Sequence, residues 1–372
     1  MSLSGQPPDS ANITSLSSPT PPPTTKPTPI PELGDAKRAG LIRRVSEHYD
    51  NVDSVTWALL WVSDIDMLEG LVNGDAKHLD RALLAQENKC RLLAWATRNR
   101  SRDDTSVTDP NAEPSSSPGP AKKRKKNPDD AERDPKLAQK ANERDQGCII
   151  TRADDALEGA YIFPFSLNSQ SKIEEQHFWS MLRFFWPPEQ VEKWWKGVMG
   201  DVATEHLGNM ITLNRYAHVL WGKGRFVLEP VALSSDKCSL TVRFWWLPSR
   251  QYSASVHINT PPRIPSNLTS YGRNSKLWNH NTEKKVCSGD EIVLVTHDAL
   301  NFPLPSFELL HLSFHLTRVL GMSGAADIER ETDSEHDSDV DDAQEVSFAQ
   351  PRGRLATAAV TWSKRECATT YI

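Results

Sequence analysis

The chain has 372 residues, of which 38% are hydrophobic and 25% are charged, and its formal net charge is −6. No apolar run approaches the roughly 18 residues that a membrane-spanning helix needs, so the composition excludes a membrane protein. The five cysteines lie far apart without a C-x-x-C pair, which excludes a disulfide framework or a zinc ribbon and is typical of free thiols. The first residues show no secretory signal pattern, so we expect an intracellular protein.

The negative charge is concentrated near the C-terminus. Residues 327–345 contain ten acidic residues and one arginine, a net charge of −9, so the rest of the chain carries +3. This mild positive balance is compatible with a nucleic-acid partner but is too small to demonstrate one. We expect residues 327–372 to form an acidic, disordered tail, in which Ser334 and Ser338 are either kinase acceptors or part of an unmodified solubilising segment.

The first hundred residues divide into two parts. Residues 1–32 hold nine of the 26 prolines together with many Ser and Thr residues, which predicts disorder. Residues 33–100 carry apolar side chains at helical spacing, with Asp53 or Ser54 and Asp75 as candidate N-caps. This pattern predicts a small region of about three helices, and nothing in it indicates catalysis.

A basic, flexible linker is predicted at residues 101–137, which are polar and rich in Pro and Ser. Residues 122–126 read Lys-Lys-Arg-Lys-Lys. Such a cluster suits a nuclear import receptor or a phosphate backbone, and a solvated charge run is the alternative. We therefore expect a nuclear location, with a cytoplasmic one as the alternative.

The second half of the chain is rich in tryptophan and mixes helical and strand patterns. Short strands are predicted at 147–151 and 158–165, apolar helices at 178–186 and 189–198, a helix at 213–221, a strand hairpin at 225–231 and 240–247, and a last helix between Ser306 and Gly321. The fold class predicted from these elements is α+β. The oligomeric state is not determined by these patterns.

Three spaced motifs lie within this half: Arg144-Asp145-x-x-Cys148-x-x-Thr151, then Ala160-Tyr161-Ile162-Phe163-Pro164, then Asn209-x-x-x-Leu213-x-x-x-x-His218. Together they resemble the HNH endonuclease family, in the fungal variant with the pattern C-x-x-T, A-H-I-x-P and N-x-x-x-L-x-x-x-x-H. The resemblance is clearest over 144–248 and continues more weakly into 303–326. It implies an HNH-like ββα core with a helical insertion and a hairpin in a domain at 138–248, extended by residues 249–326.

The resemblance also implies roles for particular residues. In that family, two strands and a helix hold one divalent metal ion for DNA phosphodiester hydrolysis, which implies Mg²⁺ or Mn²⁺ here, with Zn²⁺ as an alternative. His218 takes the position of the metal ligand, Asn209 that of the orienting residue, and Tyr161 that of the general-base histidine. Strand alternation puts Glu158 on the same face as Ala160, which makes Glu158 a candidate replacement ligand.

The sequence departs from the family pattern at the predicted base. A tyrosine has a pKa near 10 and a histidine one near 6.5, so Tyr161 is a poor base at neutral pH. Loss of a general base costs about 10² to 10⁴ in rate. Two functions therefore stay open: a metal-dependent DNA endonuclease, and a catalytically inactive HNH scaffold that binds nucleic acid or protein.

Each candidate residue also has an ordinary structural interpretation. His218 lies off the apolar stripe of its helix, so it is either a metal-facing residue or a polar surface histidine. Asn209 can also serve as a turn residue, and Tyr161 as a half-buried strand aromatic. His311 and His315, four residues apart, either share a metal ion or lie on a polar helix face.

Overall fold

The structure, a computed structural model, describes residues 31–83 except 75, residues 92 and 95, residues 135–199 except 165–166 and 168–171, and residues 204–327 except 264, 266 and 273. Some predictions concern residues outside these ranges. They are those for the N-terminal segment up to residue 30, for Asp75, for the basic cluster at 122–126 and for the tail beyond 327. Within the described parts, helices alternate with small antiparallel sheets, which confirms the α+β class. No helix among them is long and apolar enough to span a membrane.

The described N-terminal residues up to 83 contain four short helices: α1 (Ala36–Val45), α2 (Ser54–Val62), α3 (Ile65–Asn73) and α4 (Ala76–Leu83). The predicted N-cap Asp53 is confirmed, because its side chain accepts hydrogen bonds from the backbone N–H groups of Val55 and Thr56. Asp64 caps α3 in the same way. Its carboxylate accepts from the N–H groups of Asp66 and Met67 and so starts a new helix directly after α2.

The central motif is a strand pair followed by a helix. Strand β2 (Leu157–Tyr161) pairs antiparallel with β3 (Met210–Asn214), and α8 (Arg215–Gly222) follows β3 directly. The predicted helical insertion consists of α6 (Lys172–Phe185) and α7 (Pro188–Met199), which lie in the sequence between the two strands. Helix α5 (Pro135–Asp145) packs against both strands. The expected ββα arrangement is therefore present, with its strands separated by the insertion.

The strand predicted at 147–151 is wrong. This segment is a turn, closed by hydrogen bonds from Cys148 N to Ala153 O (2.8 Å) and from Arg152 N to Cys148 O (2.9 Å). The second strand of the core is instead β3, whose residues the sequence pattern divided between a loop and a helix. The helix starts only at Arg215 because the Asn214 side chain accepts a hydrogen bond from Ala217 N and ends the strand.

A three-stranded antiparallel sheet lies beyond the motif. The predicted hairpin is confirmed as β4 (Phe226–Leu233) and β5 (Ser239–Trp246), and β9 (Glu291–Val295) pairs with β5. Two small pairs complete the strands: β1 (Asn51–Val52) with β6 (Val256–His257), and β7 (Trp278–Asn279) with β8 (Lys284–Lys285).

The last helix, α9 (Phe307–Ser323), packs against β4 and α2 and starts at the predicted cap, Ser306. It does not end before Gly321 as expected. A Cβ at Gly321 would lie 3.1 Å from Leu247 Cδ1, so this glycine permits close packing of the helix on the sheet. The helix ends instead at Gly324, whose φ of +72° suits the left-handed cap.

The polar residues of α9 pack against other side chains: His311 and His315 are half-buried and lie beside Trp194. Arg318 is buried and binds both carboxylate oxygens of Glu32 at 3.0 Å. His315 Nδ1 lies 2.9 Å from Arg318 Nη2, and His311 Nδ1 accepts from Trp194 Nε1 at 3.1 Å. The helix therefore contributes a buried polar network to the core.

This network predicts that the protein loses stability in mild acid. Burial lowers the pKa of His311 to about 4 and that of His315 well below 6.5, with nearby Arg318 acting in the same direction. The unfolded chain binds protons near pH 6.5 and the folded chain does not. The free energy of unfolding is therefore highest above pH 6.5 and falls between pH 6.5 and 4, by about 2 kcal/mol from pH 7 to 5 for His311 alone.

Urea unfolding at several pH values measures this loss. The double variant His311→Gln/His315→Gln should show a flatter pH dependence than the parent over the same window. Parallel pH profiles of parent and variant would show that the two histidines do not cause the loss.

Candidate functional site

Two of the predicted site residues meet at the strand pair. Glu158 Oε2 on β2 lies 2.6 Å from His218 Nδ1 on α8, although the residues are 60 positions apart in the sequence. The Glu158 side chain is 40% exposed and that of His218 is 17% exposed, so the pair is accessible from solvent. The carboxylate and the imidazole thus form one partly open polar site.

The local fold explains why these residues meet. In the antiparallel register Glu158 is opposite Leu213, so the end of β3 lies beside it. The Asn214 cap then turns the chain into α8, and Arg215 N donates to Ala156 O, which ties the helix start to the residue before β2. The first turn of α8 consequently places His218 over the Glu158 face of the strand.

Tyr161 lies on the opposite face of β2. A Cβ at Gly159, which shares that face by alternation, would lie 2.8 Å from Ala138 Cβ, so the face points toward α5. Tyr161 is buried there in a small cluster with Leu137 and Ala141, and its hydroxyl donates to Glu205 Oε2 at 3.2 Å. The structure therefore does not bring the Tyr161 ring to the Glu158–His218 pair.

Asn209 connects the backbone on either side of the insertion. Its Nδ2 donates to the carbonyl oxygens of Phe163 (3.2 Å) and Thr204 (3.0 Å), and its Oδ1 accepts from Phe163 N at 2.7 Å. The side chain is fully buried. It fixes the segment that follows β2 against the segment that precedes β3, which is a positioning contact at the edge of the site.

We expect Asn209→Ala to lower the free energy of unfolding by about 3 kcal/mol. The change leaves the buried N–H of Phe163 and two carbonyl groups without the side chain that they bond, and each such loss costs about 1–3 kcal/mol. Asn214→Ala, which removes only a helix cap, is the matched control, with an expected loss of about 1 kcal/mol. Equal losses in urea unfolding would contradict the bridging role of Asn209.

Arg144 and Asp145 are structural residues to which the sequence pattern assigned no role. Their side chains are buried and form a two-point ion pair, at 2.7 Å and 3.0 Å. Arg144 also donates to the carbonyl oxygens of Leu207 (3.1 Å), Met210 (2.7 Å) and Pro303 (2.8 Å). The guanidinium group thereby holds the turn that contains Asn209.

Asp145 extends the same support to β3. Its Oδ2 accepts a hydrogen bond from Thr212 N at 2.9 Å, so the ion pair fixes the strand that lies beside Glu158. The available sequence signal was two adjacent opposite charges directly before the Cys148 turn. That signal identifies a pair but not its backbone partners, which lie more than 60 residues away.

Glu205 and His206 are further residues that the sequence analysis missed. Glu205 accepts the Tyr161 hydroxyl, as described above. Burial lowers the pKa of His206, which also has a hydrogen bond with the backbone of Gly197. Glu205 lies on the side of the strand pair that faces α5, because its partner Tyr161 does.

The number and type of ligand atoms at the Glu158–His218 pair decide which metal ion the site suits. In the described ranges, no group of three or more His, Cys, Asp or Glu residues is arranged to hold one. Catalytic zinc usually has three protein ligands, which the Glu158–His218 pair does not provide. Mg²⁺ uses one or two carboxylates and retains water and phosphate oxygens, so the exposed pair fits Mg²⁺, or Mn²⁺, better than Zn²⁺.

Residues 148–229 match the family model of the HNH endonucleases. They run from the Cys148 turn through the insertion to β4, and they include all four predicted site residues. This segment is an HNH-family domain. The HNH match covers under a quarter of the chain, and neither a search of curated proteins nor one of solved structures gave a significant match.

Proposed function

We propose that the HNH domain is a metal-dependent endonuclease that hydrolyses DNA phosphodiester bonds, with Glu158 and His218 as the ligands of a Mg²⁺ or Mn²⁺ ion. The 2.6 Å contact between these two side chains carries the proposal. It joins a carboxylate and an imidazole at a solvent-accessible position of a nuclease-family fold. A carboxylate is the usual protein ligand of Mg²⁺ and Mn²⁺, and an imidazole is a usual ligand of transition-metal ions.

Hydrolysis forms a bond between a water oxygen and phosphorus and breaks the bond from phosphorus to a deoxyribose oxygen, which leaves with a proton. When bound, the ion supplies Lewis acidity for the charge on the departing oxygen. Glu158 and His218 would hold the ion, and Asn209 together with the Arg144–Asp145 pair keeps β3 and the loop after β2 in place. We assign no base role to Tyr161, which is buried against α5.

The second candidate is a non-catalytic HNH scaffold that binds nucleic acid or protein. The orientation of Tyr161 favours it, because the residue at the family's base position faces away from the Glu158–His218 pair. Loss of a general base costs about 10² to 10⁴ in rate, so a domain without a replacement base would be nearly inactive.

Cleavage of supercoiled plasmid DNA by the purified full chain tests the proposal. We expect nicked circles in Mg²⁺ or Mn²⁺ and none in EDTA. In parallel, calorimetric titration with Mn²⁺ should detect binding that the Glu158→Gln variant loses. Intact plasmid with every ion would contradict the nuclease and favour the scaffold.

A further inference from the structure

A second surface lies outside the family match, at the hairpin of β7 and β8. Trp278 and Lys285 are directly opposite each other in this pair. The neighbouring residues Leu277 and Val286 are buried and bonded, from Val286 N to Leu277 O at 2.9 Å. Trp246 Nε1 also donates to Val286 O at 2.8 Å. The base of the hairpin is therefore anchored in the core.

The tip of the hairpin is ordered by its own backbone contacts. Asn279 Oδ1 accepts from the N–H groups of Asn281 (3.0 Å) and Thr282 (3.1 Å), and Glu283 adopts a φ of +53°. Such side-chain bonds to the backbone two and three residues on stabilise a tight turn. The strand residues before and after the tip are therefore presented in a defined geometry.

The outer surface of the hairpin combines an aromatic ring with positive charge. Trp278 is 49% exposed, and Lys285, opposite it in the pair, is exposed on the same face. Lys284 is also exposed, but on the other face, opposite Asn279. Strand alternation explains the exposure, because Leu277 occupies the inward position next to Trp278. Residues 276–285 contain three lysines and one acid, a net charge of +2.

Hydrogen bonds connect this hairpin to the HNH domain. His280 N donates to Thr151 O at 2.8 Å, in the turn that begins the family match. In the same turn, Ile149 N donates to Thr212 O at 3.0 Å, and Thr212 is opposite Gly159, the neighbour of Glu158. The hairpin is thus attached to the strand pair that carries the site.

We propose that the hairpin of β7 and β8 binds single-stranded DNA, with Trp278 stacked on a base and Lys285 on a phosphate. The proposal rests on the proposed function for DNA as the substrate, and it specifies unpaired segments of that substrate. An indole face can stack on any base, but only where the base is not enclosed in a duplex. A lysine beside it neutralises the backbone without reading sequence.

Fluorescence anisotropy of a labelled oligothymidylate of about 20 nucleotides tests the proposal. The full chain is used with residues 122–126 replaced by serine, so that the basic linker does not dominate binding, and with EDTA, so that no DNA is cleaved. We expect Trp278→Ala to weaken binding about tenfold and Trp278→Phe to restore most of it. Trp195→Ala, at an exposed tryptophan of α7, is the matched control and should leave affinity unchanged.

The salt dependence provides a second measurement. For a single strand, each lost phosphate contact reduces the slope of log K against log salt by about 0.7, so Lys285→Ala should reduce it by about 0.7. Lys284→Ala, on the other face of the hairpin, is the matched control and should leave the slope unchanged. The proposal would be overturned if Trp278→Ala and Trp195→Ala had equal effects on affinity, or if Lys285→Ala left the salt slope unchanged. Tighter binding of the oligonucleotide as a duplex, or of an oligouridylate, would also overturn it. The binding assay contains no metal ion, so it does not depend on nuclease activity. Loss of oligothymidylate binding in Trp278→Ala therefore supports single-strand binding by the hairpin even if the chain does not nick plasmid.

Discussion

Replacing His218 by alanine is expected to lower the rate of Mg²⁺- or Mn²⁺-dependent plasmid nicking by at least about a hundredfold. A bound metal ion contributes several kcal/mol of transition-state stabilisation, and each 1.36 kcal/mol is a factor of ten in rate. In the proposed mechanism, His218 and Glu158 are the two ligands of this ion, so the variant would leave a single carboxylate at the site. Initial nicking rates over a series of metal concentrations measure the effect.

The controls for this experiment separate a ligand from a structural residue. Glu158→Gln keeps the shape of the side chain, and it should raise the metal concentration needed for half-maximal nicking. His48→Ala, at an exposed histidine after α1, should change neither the rate nor the metal dependence. If His218→Ala nicked plasmid at the rate of the parent, the proposed metal site would have no part in the reaction.

Tyr161 provides an internal check on the orientation of β2. Because its hydroxyl contacts Glu205 on the face toward α5, Tyr161→Phe should leave the nicking rate within about twofold of the parent. A hundredfold decrease would instead assign Tyr161 the base role that its position in the family motif implies. If the parent is inactive and Tyr161→His nicks plasmid, the metal site is retained and only the general base is missing.

The second large effect is expected at Arg144. Arg144→Met should lower the free energy of unfolding by about 4 kcal/mol, because removing one partner of a buried ion pair costs about 3–5 kcal/mol. The substitution leaves Asp145 as a buried carboxylate without its guanidinium, and it also removes the donors to three backbone carbonyl groups. Urea unfolding followed by circular dichroism measures the loss.

Arg243 is the matched control for Arg144. It also binds two acids, Glu229 at 3.2 Å and Glu291 at 2.8 Å, but on the partly exposed surface of the sheet. Surface ion pairs contribute about 0–1 kcal/mol, so Arg243→Met should have a small effect. A loss at Arg144 no larger than that at Arg243 would show that the buried pair does not hold the β3 segment.

Several elements were predictable from the sequence because their signals are local. The Asp53 and Ser306 caps, the hairpin of β4 and β5, and the helices of the insertion follow from residues within one or two turns of each element. The same is true of the motif spacing from Asn209 to His218, which identified the HNH domain. Local capping and periodicity need no knowledge of a distant partner.

What the sequence by itself determined was therefore the α+β class, the HNH motif and the residues Glu158 and His218 as candidates. Only the tertiary structure decided that β3 is the partner of β2, that Tyr161 faces α5, and that Arg144 bonds the turn around Leu207. The physical reason is that the insertion separates β2 from β3, and Arg144 from Leu207, by about 50 residues or more. The contact of Tyr161 with α5 is closer in sequence, but it depends on which face of β2 the helix covers. Tertiary packing, and not the local sequence pattern, decides which face of a strand is covered. It also decides which carbonyl groups accept hydrogen bonds from a buried guanidinium.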